Sequence, residues 1–314
     1  MRRTIARIAG AAALVTISLE LLIRFARVVP DNVPVRYRAM PGDEAFAALP
    51  GQDARSLFGV RHRVNSLGLR GSERAPARQE GVTRVAVLGD SVVWGYGVEE
   101  EDTFVARLEE ILARRGRGYE VWNLGLQATN LYNHRARYAR LAPLVRPDLT
   151  IVLVLYNDLQ KRAEHFRITS VGTLSNPDRD APFPDAWRPF LESTALYWAA
   201  LRVVGRIEGL ETEFRLENYP GLERQLEGIV ATARSLGSKV VVAAASGRFP
   251  PPELYHALTQ RLSAFAAKSQ MTFVDLSRVL GNPGDPRLFL AADSTHPNPA
   301  GHAAIAQALA PHVE

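Results

Sequence analysis

The run from Leu149 to Leu155, LTIVLVL, is apolar at every position but Thr150. It lacks the two-residue alternation of a half-exposed strand, and it is too short for a buried helix. A strand of this kind must be covered on both faces, as a central strand of a parallel sheet is covered by helices. Arg84 to Leu88 (RVAVL), Tyr119 to Asn123, Lys239 to Ala245 and Met271 to Val274 read as further strands. Helical stretches alternate with them at Leu131 to Leu144, Leu222 to Leu236 and Pro252 to Ala267. Asp102 or Thr103 can cap another helix, whose Phe104, Leu108, Ile111 and Leu112 share one face. A final helix has Asn298 at its cap and Pro299 in its first turn, where no amide donor is needed. This order predicts the α/β class: a three-layer α/β/α domain with a central, mostly parallel sheet and right-handed crossovers. Ligands then sit outside the carboxyl ends of the strands.

The N-terminus is of another kind. Arg2, Arg3 and Arg7 lead into a largely apolar run from Ile8 to Ile23, interrupted by Thr16, Ser18 and Glu20. As a helix, Ile5 to Ala26 just reaches across a hydrocarbon core. Glu20 lies four residues before Arg24 and can pair with it near the far end. The stretch reads as an uncleaved single-span anchor, preceded in the cytoplasm by its arginines and placing the rest of the chain on the extracytoplasmic, periplasmic side. A cleaved signal peptide and an interfacial helix are the alternatives. No clear small-x-small cleavage site follows, which favours retention.

The chain thus divides into an anchor or signal-anchor over 1–27, a connector over 28–83 and the main domain over 84–314. The connector carries Pro30, Pro34, Pro41 and Pro50 and the glycine-punctuated run NSLGLRGSE from Asn65 to Glu73, and can order against the main domain. An insertion at about 159–218 interrupts the alternation, and its Phe166, Phe183, Trp187, Phe190, Tyr197 and Trp198 can either wall a substrate cleft or pack the insertion itself.

A net charge of +5 in 314 residues is mild, and no basic stripe interleaved with aromatics marks a nucleic-acid surface. The absence of cysteine excludes disulfides and thiolate chemistry. His62, His134, His165, His256 and His312 are scattered without metal-ligand spacing, and neither a metal nor a cofactor is expected.

Chemistry concentrates in VAVLGDSVVWGYGV, from Val85 to Val98. The strand ends at Leu88, and Gly89, Asp90 and Ser91 turn the chain, so the Ser91 hydroxyl stands at the strand's carboxyl edge. Alone, Gly-Asp-Ser is a turn. It matches neither the G-x-S-x-G elbow nor a dinucleotide or phosphate-binding loop. A serine nucleophile needs a base and stabilisation of its oxyanion. Asp293-Ser294-Thr295-His296-Pro297 offers the base and an acid to orient it, although the same residues can form an ordinary capped turn. Asn123-Leu124-Gly125 and Tyr156-Asn157-Asp158 follow two strands and offer donors, or simply end those strands.

Taken together and in this order, GDS at Gly89 to Ser91, Gly125 after Asn-Leu, Asn157-Asp158 and DSTHPN at Asp293 to Asn298 resemble the SGNH, or GDSL-like, hydrolase family over about residues 83–312. The resemblance implies a flavodoxin-like α/β/α fold with Ser91 as nucleophile, His296 as general base and Asp293 as its orienting acid. It implies an oxyanion hole from the amides of Ser91 and Gly125 and the side chain of Asn157. Val92 replaces a frequent leucine. Leu155 replaces a frequent glycine, which is expected to reshape the cleft. Asp90 and Asp158 are rival acids better suited to supporting their own turns, and His302 is a rival base better suited to packing. The resulting expectation is an envelope-facing esterase or deacylase acting on an acylated saccharide or lipid ester. An O-acyltransferase using the same acyl-enzyme is the alternative, and a non-catalytic envelope binding or assembly protein is the third reading.

Overall fold

The computed structural model of the chain describes residues 2–26, 33–56, 58–116, 118–159, 166–175, 184–200, 221–248, 252–291 and 295–313. A helix, α1 (Arg2–Phe25), comes first. Two short antiparallel pairs follow, β1 (Tyr37–Ala39) with β2 (Phe46–Ala48) and β3 (Gln52–Arg55) with β4 (Arg61–Val64). The main domain then runs β5 (Val82–Leu88), α2 (Phe104–Ala113), β6 (Gly118–Asn123), α3 (Leu131–Val145) and β7 (Leu149–Val154). In the insertion β8 (Arg167–Ile168) pairs antiparallel with β9 (Leu174–Ser175). The alternation resumes with α4 (Leu222–Ser235), β10 (Lys239–Ala244), α5 (Pro252–Lys268), β11 (Thr272–Asp275) and α6 (Pro299–Leu309).

The five main-domain strands form one sheet in the order β11-β10-β7-β5-β6, and every pairing is parallel. The expected strands are therefore present, with ends shifted by one or two residues. β7 is wholly buried because helices cover both faces. Its Val152 and Val154 pack with α3, α4 and α5, whereas Ile151 and Leu153 pack with α2 and α6. The two-residue period of a strand thus sends neighbouring side chains into two separate cores, which makes the three layers.

Local signals set the helix ends. Thr103, not Asp102, caps α2, its hydroxyl accepting the Ala106 N–H at 3.2 Å. Asn298 caps α6, accepting from Ala300 and Gly301 at 2.9 and 3.0 Å. His302 on α6 is fully buried, and its Nδ1 accepts the Phe104 N–H at 3.1 Å while its ring stacks on Phe104. It therefore joins the two helices on one face of the sheet.

Burial draws the His302 pKa from 6.5 down to about 3. Below pH 6.5 the unfolded imidazole takes a proton that the folded one refuses. The stability this site contributes is thus complete above pH 6.5 and is lost as pH falls toward 3. His62 and His134, lowered to about 2 and about 3, act in the same direction. Asp90 and Asp158 oppose them, because burial raises both carboxyls above 3.8 and the folded state keeps protons that the unfolded state releases. His302→Asn retains an acceptor for Phe104. Urea titrations between about pH 4 and 6 are expected to show its unfolding free energy falling less steeply than wild type, by about 1.4 kcal/mol per pH unit at most. Equal slopes would contradict a neutral His302.

The connector is built against the main domain. Val35, Tyr37, Phe46, Ala48, Ala54 and Val64 share a buried cluster with Trp94 and Leu126 from the two loops that end β5 and β6. One carboxyl end of the sheet is therefore walled by residues that precede the sheet in sequence.

Candidate active site

The β5 strand ends at Leu88, and Ser91 opens a single helical turn, Ser91–Trp94. The Ser91 N–H is the first amide of that turn and has no intrahelical acceptor. Asp90 caps the turn, its Oδ1 accepting the Val92 N–H at 2.9 Å. Its Oδ2 accepts Asn157 Nδ2 at 2.7 Å and lies 3.5 Å from Ser91 Oγ. Asp158 supports the neighbouring turn, with Oδ2 accepting the Leu155 N–H at 2.7 Å. Burial and the nearby Asp90 charge hold the Asp158 carboxyl well above its ordinary range. Both acids thus serve the loops beside them.

His296 reaches the site from the other end of the chain. Its Nε2 lies 2.8 Å from Ser91 Oγ. The segment that carries it is fixed on several sides. The Leu290 N–H donates to the His296 carbonyl at 3.0 Å, Phe289 and Pro297 bridge antiparallel, and the Tyr156 and Thr295 hydroxyls lie 2.9 Å apart. Asn298 ties this segment to α6, donating through Nδ2 to the carbonyls of Arg287 and Phe289 at 2.8 and 3.2 Å. The Tyr96 ring packs 4.8 Å from the imidazole, tilted by 53°. Asp293 lies outside the described residues.

Gly125 approaches the serine turn so closely that a Cβ there would sit 2.4 Å from the Trp94 nitrogen. No other residue fits without moving backbone. Its own N–H donates to Asn123 Oδ1 at 3.0 Å, while Asn123 Nδ2 donates to the Val93 carbonyl at 2.8 Å. Asn123 therefore locks the second loop onto the first. Leu155 departs from expectation: it is fully buried in the core shared by α2 and α6, so its side chain does not reshape the cleft. The insertion aromatics divide. Phe166, Tyr197 and Trp198 line a cavity beside Tyr96, whereas Trp187 and Phe190 are exposed and Phe183 lies outside the described residues.

Arg70 was not singled out by the sequence. It is almost wholly buried, and burial draws its pKa down to about 10. It donates to the carbonyls of Trp94 at 2.8 Å, Val98 at 2.5 Å and Gly95. Gly95 has φ 84°, and a Cβ there would lie 2.4 Å from Thr103 and 2.8 Å from the guanidinium. A connector arginine thus clamps the loop bearing Tyr96. The only sequence hint was a lone arginine between two glycines of the run from Asn65 to Glu73.

The profile of the GDSL-like Lipase/Acylhydrolase family matches residues 87–304 of the 314. The chain belongs to this family. As a GDSL-like acylhydrolase it is an enzyme, and its reaction is of the serine-hydrolase, esterase type. A comparison with curated protein sequences returned no match. Among solved structures, the GDSL-like chain is similar to TesA, with 19% identity over 74% of this chain and 98% of that one and a TM-score of 0.49. It is similar to a catalytic mutant of Axe2, an acetylxylan esterase from Geobacillus stearothermophilus, with 16% identity, coverage of 72% and 92% and a TM-score of 0.47. It is also similar to the psychrotrophic esterase EstA from Pseudoalteromonas sp., with 13% identity, coverage of 72% and 94% and a TM-score of 0.45.

Proposed function

We propose that the chain is a serine-dependent esterase or deacylase in which Ser91 attacks the carbonyl carbon of an acyl ester, His296 is the base and Asp293 orients it. The observation that carries this reading is the 2.8 Å approach of His296 Nε2 to Ser91 Oγ, within the range of a nucleophile and its base. As Oγ bonds to carbon, its proton passes to Nε2. The carbonyl oxygen becomes an anion facing the amides of Ser91 and Gly125 and the second N–H of Asn157 Nδ2. The Gly125 N–H already meets a neutral oxygen of Asn123. A developing oxyanion outcompetes it, because a hydrogen bond to a charged acceptor is roughly twice as strong. Collapse expels the alcohol, which takes the proton from His296. Water then attacks the acyl-serine as His296 takes its proton, and collapse breaks the bond to Oγ, which recovers that proton from His296 as the acid leaves.

The substrate in this reading is an acylated saccharide or lipid ester of the cell envelope. The test is a panel of acyl esters assayed with and without a competing saccharide alcohol. Release of free acid unaffected by the alcohol is expected. Acyl transfer to the alcohol at the expense of acid would make the chain an O-acyltransferase instead, and absence of both reactions would overturn the reading.

The site is read as extracytoplasmic and tethered by α1. Residues Arg3–Phe25 form a helix long and apolar enough to cross a membrane, about 35 Å at 1.5 Å per residue. Its Ile8, Leu14, Val15, Leu21 and Leu22 are exposed, as a lipid-facing surface requires. Near its end Arg24 pairs with Glu20 at 2.6 Å, and Glu20 accepts the N–H groups of Ala195 and Leu196 at 2.9 and 2.8 Å. The helix is thus joined to the insertion. Full-length protein is expected in the membrane fraction, released by detergent but not by high salt. Recovery of the intact chain in the soluble fraction would contradict the anchor.

A further inference from the structure

A cavity of about 260 Å³ lies beside the active site, between the connector and the insertion. Its wall includes Tyr96, whose ring also packs against His296, so one side chain borders both the cavity and the histidine that faces Ser91. Its connector side, from Pro34 to His62, precedes the residues matched to the family.

Two features of the lining define what it can hold. Much of it is aromatic: Tyr37, Tyr96, Phe166, Tyr197 and Trp198. The other feature is His62, which is 1% exposed. The Trp94 indole N–H lies 2.8 Å from its Nδ1. An indole nitrogen can only donate, so Nδ1 is the acceptor and the proton of the neutral ring sits on Nε2. That Nε2 has no hydrogen-bond partner among the described residues. Burial, with Arg70 nearby, pulls the pKa of His62 down to about 2, so the ring does not become a cation at neutral pH. A buried donor without an acceptor is costly, and a ligand that brings an oxygen removes that cost. The hydrocarbon part of an acyl chain brings none. Among the described residues the lining carries one cation, Arg188, which donates to the Tyr197 and Ser175 hydroxyls at 3.2 and 2.9 Å, and one anion, Glu192, which is engaged by Arg36 at 3.1 Å and by the Thr173 hydroxyl at 2.7 Å. The cavity therefore suits a neutral ligand with apolar faces and hydroxyl edges.

We propose that this cavity is a saccharide subsite, in which a neutral pyranose of the acylated substrate lies against the aromatic wall and accepts a hydrogen bond from His62 Nε2. Its role in presenting an ester to Ser91 rests on the esterase reading above. Binding at the cavity is measurable without turnover.

The test is calorimetric titration of full-length Ser91→Ala protein in detergent with cellobiose, xylobiose and chitobiose, and separately with hexanoate as an acyl probe. At least one disaccharide is expected to bind, and His62→Phe is expected to weaken it about tenfold. Phe166→Ala, which alters the aromatic wall and leaves His62 in place, serves where the His62 variant fails to fold, with the same expectation. Binding of no disaccharide, binding of hexanoate alone, or disaccharide binding unchanged by a folded wall variant would overturn the proposal. Hydrolysis of p-nitrophenyl acetate by the wild-type chain separates the two readings. Turnover without disaccharide binding sinks the subsite and leaves the esterase. Disaccharide binding without turnover sinks the esterase and leaves the subsite.

Discussion

Replacing Ser91 by alanine is expected to lower kcat on any accepted ester by about four to six orders of magnitude without changing the fold. The side chain lies at the site surface, only partly buried, and its hydroxyl makes no contact that holds an element in place. His296→Ala is expected to cost nearly as much, because serine without its base stays protonated and weakly nucleophilic at neutral pH. The double variant should be no worse than either single one, since both remove the same proton-transfer step. Independent, additive losses would mean that the two groups act separately, which the 2.8 Å contact contradicts.

The second large effect is expected at Arg70, far from any motif. Its guanidinium donates to the carbonyls of Trp94, Gly95 and Val98 in a space closed to water. Arg70→Met leaves those acceptors without a charged donor worth roughly 1.5–3 kcal/mol each. A loss of about 3 kcal/mol or more in urea unfolding is expected, a large fraction of the roughly 5–15 kcal/mol that stabilises an ordinary domain. Activity should fall as well, because the loop carries Tyr96 against His296. Arg70→Lys should rescue little, since a single ammonium cannot serve several carbonyls as a planar fork does. Wild-type stability in either variant would contradict the clamp.

Much of the fold was legible because its signals are local. The unbroken apolar run around Ile151 needed helices on both faces, and β7 lies between two cores. Asn298 marked the start of α6 through its own amide, and the pair Asp102 and Thr103 marked the start of α2, which Thr103 caps. Of the candidate site, the sequence pointed to Ser91 and His296, where chemistry demands particular residue types, and the structure brings those two side chains together. Arg70, His62 and Tyr96 left little trace, because their importance comes from burial and from partners at a distance in sequence. A buried arginine and a surface arginine read alike. Leu155 shows the converse: a side chain expected to shape the cleft points into the core, as the alternation of β7 carried one residue further requires.

Labelling of wild-type protein with a fluorophosphonate, followed by intact mass and peptide mapping, asks whether Ser91 is the nucleophile. A single adduct on Ser91 is expected, formed slowly or not at all in His296→Ala. An adduct on a different serine, or undiminished ester turnover by protein that carries no adduct, would contradict it.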